Sequence, residues 1–416
     1  MAITKVWSRG ATMYQPPKRE LLGQFTMYPM DDVFYGPGSV SNLEAVLEAN
    51  DVRRALLITG TTLATKTDLV DKVLAASAGR IGGVFHETVM HVHRGSVLSA
   101  AEMARSMGAD GVVTFGGGTP NDTGKAVLLA LADDITDHDG FDTARVKFEY
   151  PATVEVPPIK GACLPIVAIS TTLSGGECTY FTGITDDVRQ VKDLYLDKKM
   201  TAKALFLDPE LTLETPGWLW LSSGLRAVDH CIESMCSTNS HPYTDGLAAR
   251  ALAMLNQYLR ECKSDPQDLV ARTHAHIASW MSISGLANVS LGLCHGIGHQ
   301  LGARCNVAHG VTSCVMMHPV MTWNKDHVGN RQTWIAELMG VDTAGMGPEE
   351  ANAAGRDSVL GLVEDLGLPH RLRDVGVTES AFPAIAADAM QDLVVATNPR
   401  PVTSVDDVIE VLHDAY

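Results

Sequence analysis

The sequence predicts an α/β N-terminal half followed by an all-helical C-terminal half, and three observations carry that expectation. Short β-rich apolar runs alternate with helical stretches between residues 53 and 132. The texture then turns to Ala-, Leu- and Met-rich helical periodicity beyond about residue 208. Glycine clusters stand where strands hand over to helices, as in FGGG at 115 to 118. Strand and helix in turn imply a parallel sheet with crossover helices, and helix upon helix implies a separate packed layer.

Taken in order, residues 1–30 read as an N-terminal arm, 31–208 as the α/β domain and 209–416 as the helical substrate and catalytic domain. RRALLITG (53 to 60) is a strand, followed by a helix near 66 to 78; GGVFHETV precedes the helix SVLSAAEMARSMG, and GVVTFGGG precedes TPNDTGKAVLLALA. A Pro-rich, charged excursion from Asp133 to Lys160 reads as loops or a small hairpin before the buried strand CLPIVAIST. Pro209 and Pro216 bracket a turn, and four later stretches carry helical periodicity: LAARALAMLNQYLREC, ARTHAHIASWMSISGLANVS, VTSCVMMHPVM and GRDSVLGLVEDLG.

Composition excludes several classes. A 416-residue chain with 45% apolar residues buries a large core. A formal charge of −17 without a basic run argues against nucleic-acid or anionic-membrane partners. The eight cysteines form no CxxC pair, which predicts reduced thiols rather than a zinc ribbon or disulfide framework. The first residues lack the apolar core of a signal peptide and no run approaches a membrane span, so a cytoplasmic enzyme of small-molecule chemistry is expected.

Three constellations could carry that chemistry. In FGGGTPNDTGKAV, bare backbone at a helix N-terminus suits a phosphate, although Thr119 and Asp122 could equally be a capping pair on an ordinary turn. In ISTTLSGGECT, hydroxyls and glycines follow a buried strand, where an open sheet places its ligand; a plain polar loop reads the same way. In CHGIGHQLGARCNVAHG, His295 and His299 lie four apart and His309 ten further on, with His230 upstream. Such spacing suits a transition metal, or satisfied histidines in helix packing.

These segments, with FYGPGSV, FLDPELT, SSGLRAVDHCIE, PVMTWN and NPRPVT, resemble the iron-containing, or group III, alcohol dehydrogenase superfamily from about Val33 to the C-terminus. The resemblance implies a Rossmann-like dinucleotide-binding domain and a helical domain in the dehydroquinate synthase-like architecture, with the nicotinamide in the cleft between them. It implies phosphates on Gly116, Gly117 and Gly118, with Thr119, Asp122, Thr171, Thr172 and Lys192 nearby. Metal-dependent members use three histidines, matching His230, His295 and His309, and an aspartate four residues before the first. Here that position is Arg226. Asp229 lies about 100° round the helix from His230 and is a poor substitute. A guanidinium among the ligand histidines repels a divalent cation, so no tightly bound metal is expected.

The metal-independent branch, the maleylacetate reductases, is also resembled in its threonine loop, which is one residue shorter than the TTxGTGSE-like pattern, as is TTLSGGE here. That branch usually replaces the aspartate by asparagine, so Arg226 departs from both patterns. The resemblance implies NADH- or NADPH-dependent reduction of maleylacetate or a related oxo-enedioate to 3-oxoadipate in aromatic catabolism. Arg226 is then expected to hold a carboxylate or the enolate oxygen, with His230, His295, His299 or His309 giving the proton. The plain alternative turns Arg226 aside to pair with Asp229 or Glu233. The first strand ends Ile58, Thr59, Gly60, with no carboxylate to repel a 2′-phosphate. The expected partner is a small dicarboxylate, and the expected assembly a homodimer. Two other readings compete: a metal-dependent alcohol dehydrogenase, and a silent nucleotide-binding protein, which the retention of all four histidines disfavours.

Overall fold

The computed structural model describes residues 24–150, 153–189 and 191–416, so most of the expected arm, residues 1–23, lies outside the described residues. The chain divides into two compact units. One comprises residues 28–220 and 264–280, the other residues 221–263 and 281–416 together with the end of the arm up to Met27.

The first unit is built on β1 (Asp32–Tyr35), α1 (Leu43–Ala49), β2 (Ala55–Thr59), α2 (Thr61–Lys66), α3 (Leu69–Ala76), β3 (Ile81–Phe85), α4 (Arg94–Met107), β4 (Gly111–Gly116) and α5 (Gly118–Ala132). It continues through β5 (Lys147–Glu149), β6 (Thr153–Glu155), β7 (Ile166–Ser170), β8 (Phe181–Asp186), β9 (Val191–Leu196) and β10 (Ala204–Leu207). Six strands form one sheet in the order β1-β10-β7-β4-β2-β3, and every pairing in it is parallel. The central strands β2, β4, β7 and β10 are buried along their whole length, as continuous apolar runs covered on both faces must be.

The expected excursion contains a small antiparallel hairpin, β5-β6, and β8 pairs with β9 in another. The helix expected near 66 to 78 is α3, and the short α2 precedes it. Thr67 is extended at φ −132°; its hydroxyl donates to Leu63 O and accepts from Leu69 N, a local alternative to the helical ladder. The unit also runs past the expected boundary at Asp208. Arg272 explains this: its Nη1 donates to Thr212 O and Oγ1 at 3.1 and 2.9 Å, and its guanidinium stacks over Trp220.

The second unit is helical. It holds α7 (Pro242–Ser264), α9 (Leu293–Cys305), α10 (His309–Asn324), α11 (Arg331–Leu338), α12 (Pro348–Asp365), α13 (Phe382–Ala389) and α14 (Val405–Asp414). It also takes most of α6 (Gly217–Cys236) and the end of α8 (Leu269–Ile283). The end of the arm packs here, with Phe25 against His241 and Tyr243, and Thr26 hydrogen-bonded twice to Asn288. Among the described residues no helix is long and apolar enough to cross a membrane.

Candidate active site

In the α/β unit the glycine loop closes β4. Gly116 has φ 143°, a conformation that favours glycine. A Cβ on Gly117 would come within 2.9 Å of Thr172 Cγ2, so only bare backbone lets the two loops meet this closely. Thr171 N donates to Gly116 O at 3.0 Å, and Thr172 Oγ1 bonds Ser174 Oγ at 3.1 Å. Gly116, Gly117, Gly118, Thr171 and Thr172 are thus brought together at the C-terminal ends of neighbouring strands β4 and β7.

Helix α5 starts at Gly118 with Gly117 as its N-cap and no side-chain capping bond, so Thr119 and Asp122 are not the capping pair that the sequence allowed. The helix N-terminal N–H groups stay available to an anion. Asp122 instead faces Lys125 Nζ at 3.6 Å, and its carbonyl accepts from Thr182 Oγ1. Lys192 lies on β9 opposite Thr185, in space left by Gly183, where a Cβ would meet its Cε at 2.2 Å. Two loop-fixing residues escaped the sequence reading. Asn121 Nδ2 donates to Gly117 O at 3.0 Å, and buried Lys125 donates to Phe181 O at 2.8 Å.

In the helical unit, α6 carries Arg226, Asp229, His230 and Glu233 at successive steps of three, one and three residues, which keeps all four side chains on one face. All four are buried. Asp229 therefore stays with Arg226 rather than turning away. Its Oδ2 accepts from Ser313 Oγ of α10 at 2.7 Å, from Cys294 Sγ of α9 at 3.2 Å and from Arg226 Nη1 at 3.4 Å. Arg226 Nη1 also donates to Ser313 Oγ at 3.0 Å. The ion pair with Asp229 that the sequence allowed as the plain alternative is present.

The four histidines form a row. His230 and His295 stack with ring centres 5.1 Å apart, His295 and His299 meet edge to face at 6.5 Å, and His299 lies parallel to His309 at 5.7 Å. Two carboxylates orient this row: Glu233, which the sequence offered only as a partner for Arg226, and Asp392, which it did not mark. His295 Nδ1 is 2.6 Å from Glu233 Oε2, whose carboxylate also accepts from Gly292 N and Cys294 N. His299 Nδ1 is 2.7 Å from Asp392 Oδ2. Such pairs span 62 and 93 residues, and nothing local in the sequence marks them.

Burial sets the electrostatics. It pushes the pKa values of His230 and His295 well below the usual histidine range, helped by the Arg226 charge, so both imidazoles are neutral at pH 7. It also lowers Arg226, against the pull of Asp229, and raises Asp229 and Glu233. His230 Nδ1 and His295 Nε2 are buried without a hydrogen-bond partner. A positive fork beside neutral imidazoles can bind an anionic oxygen and pass a proton.

A phosphate-ready glycine loop on an open parallel sheet, in a chain that also builds a buried Arg and His cluster, is the equipment of a dinucleotide-dependent oxidoreductase. The C-terminal family model for Fe-containing alcohol dehydrogenases matches residues 220–416, and the iron-containing alcohol dehydrogenase model matches 31–209. Lactaldehyde reductase of Escherichia coli K12 is 31% identical over 93% of this chain and 98% of its own length. Maleylacetate reductase of Pseudomonas sp. strain P51 is 29% identical over 92% of this chain and 95% of its own. A crystal structure of 1,3-propanediol oxidoreductase superposes with TM-score 0.86 at 27% identity, covering 95% of this chain and all of that one. The chain belongs to the iron-containing alcohol dehydrogenase family and is an NAD(P)-dependent oxidoreductase.

Proposed function

We propose that this enzyme reduces maleylacetate, or a closely related oxo-enedioate, to 3-oxoadipate with NADH or NADPH and without a metal ion. The observation that carries the reading is the buried Arg226 guanidinium beside the row of histidines. When bound, the dihydronicotinamide supplies a hydride to the carbon β to the ketone. Arg226 binds a carboxylate or the oxyanion of the resulting enolate, and one of His230, His295, His299 or His309 delivers the proton to carbon. One hydride and one proton account for the product. Gly116, Gly117, Gly118, Thr119, Asp122, Thr171, Thr172 and Lys192 are assigned to the cofactor. The same reading takes the enzyme as a cytoplasmic homodimer serving aromatic catabolism, with no nucleic-acid or membrane partner.

The donor set supports a metal-free site. On the family pattern a cation would be held by His230, His295 and His309, yet the fourth ligand position is a buried cation, Arg226. Among the described residues, Asp229, Glu233 and His295 bring possible ligand atoms within 4.8 Å of one another. Most of the oxygens there are engaged: Glu233 accepts two backbone N–H groups and faces His295, and Asp229 Oδ2 accepts from three side chains, which leaves Asp229 Oδ1 and His295 Nε2 without partners. At about 4 Å and an effective dielectric of about 20, each unit of like charge adds roughly 4 kcal/mol of repulsion. These residues do not fit a divalent ion.

A metal-dependent alcohol dehydrogenase is the second reading, favoured by the unpartnered nitrogens of His230 and His295. Rates of NADH and NADPH oxidation with maleylacetate, before and after exhaustive chelation, decide between them. A fast rate unchanged by chelation is expected. A rate abolished by chelation and restored by iron or zinc overturns the proposal. In Arg226→Asp, removal of the repelling charge should give about one bound iron or zinc per chain by elemental analysis, where the parent has none; a variant still devoid of metal refutes this account of Arg226.

A further inference from the structure

Arg226 does not hold its position alone. Ser313 Oγ sits 2.7 Å from Asp229 Oδ2 and 3.0 Å from Arg226 Nη1. A carboxylate only accepts and a guanidinium only donates, so the hydroxyl must give its proton to Asp229 and turn a lone pair to Arg226. Asp229 also receives Nη1 at 3.4 Å. Both hydrogens of Nη1 are thereby spent, and among the described residues no hydrogen bond leaves Nε or Nη2. These two nitrogens form the edge of a guanidinium that takes a carboxylate in two parallel bonds.

The surrounding backbone fits this arrangement. On α9, a Cβ at Gly298 would lie 2.8 Å from Thr312 Oγ1 and in ordinary contact, 3.6 Å, with Arg226 Nη1, so the glycine lets α9 approach Thr312 beside the guanidinium. Asp229 is anchored from two other helices, by Ser313 of α10 and by the Cys294 thiol of α9. It cannot rotate without stranding both donors in a buried place.

We infer that Asp229 and Ser313 are positioning residues, a clamp on Nη1 that aims the Nε and Nη2 edge of Arg226 at one carboxylate of the substrate and so selects carbonyl acids over neutral aldehydes. The inference rests on the reading of Arg226 as the anion-binding residue. The clamp fixes direction; the charge itself belongs to Arg226. Loss of the clamp therefore affects acids and leaves neutral carbonyl compounds little changed in relative terms.

The test uses Asp229→Asn, Ser313→Ala and Ser313→Thr in the full chain with NADPH. Two quantities are read: KM and kcat for maleylacetate against a neutral aldehyde such as propanal, and the calorimetric dissociation constant of succinate, a dicarboxylate that cannot react. In Ser313→Ala, KM for maleylacetate and the succinate constant should both rise about tenfold, the loss of one hydrogen bond to a charged group, while kcat falls by a much smaller factor. Asp229→Asn should show a rise of about ten- to a hundredfold, and Ser313→Thr should restore most of the parent behaviour through its hydroxyl. A parent that turns over maleylacetate while Ser313→Ala keeps the same acid-to-aldehyde selectivity overturns the clamp and leaves the proposed function standing. Equal losses for acid and aldehyde mean a structural role only and likewise overturn it. A parent that neither reduces maleylacetate nor binds succinate removes the proposed function, and the clamp with it.

Discussion

Arg94 and Arg226 are both buried beside carboxylates, and the fold treats them in opposite ways. Arg94 opens α4 in the α/β unit. Its Nη1 donates to His138 O at 2.7 Å and pairs with Asp186 at 3.1 Å, and its Nη2 reaches Asp142 at 2.7 Å and Asp193 at 2.9 Å. Burial alone would lower its pKa, but the bond to Asp142 and the neighbouring Tyr195 and Asp186 raise it above the ordinary value. Arg226 has one carboxylate and one hydroxyl, both on Nη1, and burial wins, lowering its pKa. Desolvation is the strongest single influence on both; the number of partners decides the sign of the result. A guanidinium enclosed by three carboxylates fastens structure, whereas one with an edge left over keeps binding capacity.

That contrast can be broken most sharply by removing each charge. Arg94→Met removes one cationic partner of the buried Asp186 and Asp193, while Arg189 still pairs with both, and should cost about 2–3 kcal/mol of unfolding free energy, read from urea midpoints, with KM unchanged in the folded fraction. If it unfolds no more easily than the parent, the distinction fails. Arg226→Met should strike activity instead: kcat/KM for maleylacetate falls by about 10²–10³ in the folded fraction, the scale of losing one preorganised charge donor.

The acid limb of stability sharpens the comparison further. Burial pushes Asp186 up, but hydrogen bonds from the Arg189 backbone and side chain, the Val188 backbone and the charge of Arg94 outweigh it and bring its pKa down to about 2. A carboxyl held below its ordinary value of 3.8 stabilises the fold above that pH, and the contribution disappears as pH falls through the folded value near 2. The gain at neutral pH is roughly 2 kcal/mol. Asp186→Asn should therefore lower the midpoint at pH 7 and flatten its decline between pH 4 and pH 2. The smallest effect is expected from Arg226→Lys, which keeps the charge and loses the fork. KM for maleylacetate should rise about tenfold, and an unchanged KM would show that charge without bidentate geometry suffices.

The fold was largely legible because its signals are local. Buried strands such as Ile166–Ser170 and helices such as Arg94–Met107 declare themselves through apolar runs and periodicity. The short α2 was not marked off from α3 because a threonine hydroxyl competing for the ladder, as at Thr67, looks like any other helical threonine. Arg272, which ties residues 264–280 to the α/β unit, acts over 60 residues. In the active-site cluster, the spacing of Arg226 and His230 fixed their common face, and the same periodicity kept Asp229 with Arg226. What α10 brings to that face was hidden: Ser313 lies 84 residues from Asp229, and no spacing rule reaches that far.

Gly310, next to His309 at the start of α10, has a further consequence. A Cβ there would fall 2.6 Å from the Ser222 carbonyl carbon and oxygen and 2.8 Å from Ser223 N, so α10 and α6 touch backbone to backbone. Neither main chain can yield as a flexible side chain would. The separation between the helix that bears Arg226 and the one that bears Ser313 and His309 is thus set by covalent geometry and is insensitive to which side chains line the cluster. A frame of this kind lets one residue at position 226 change identity, even in the sign of its charge, while its neighbours stay where they were. Descent with altered chemistry then needs few substitutions, since each starts from a scaffold already rigid.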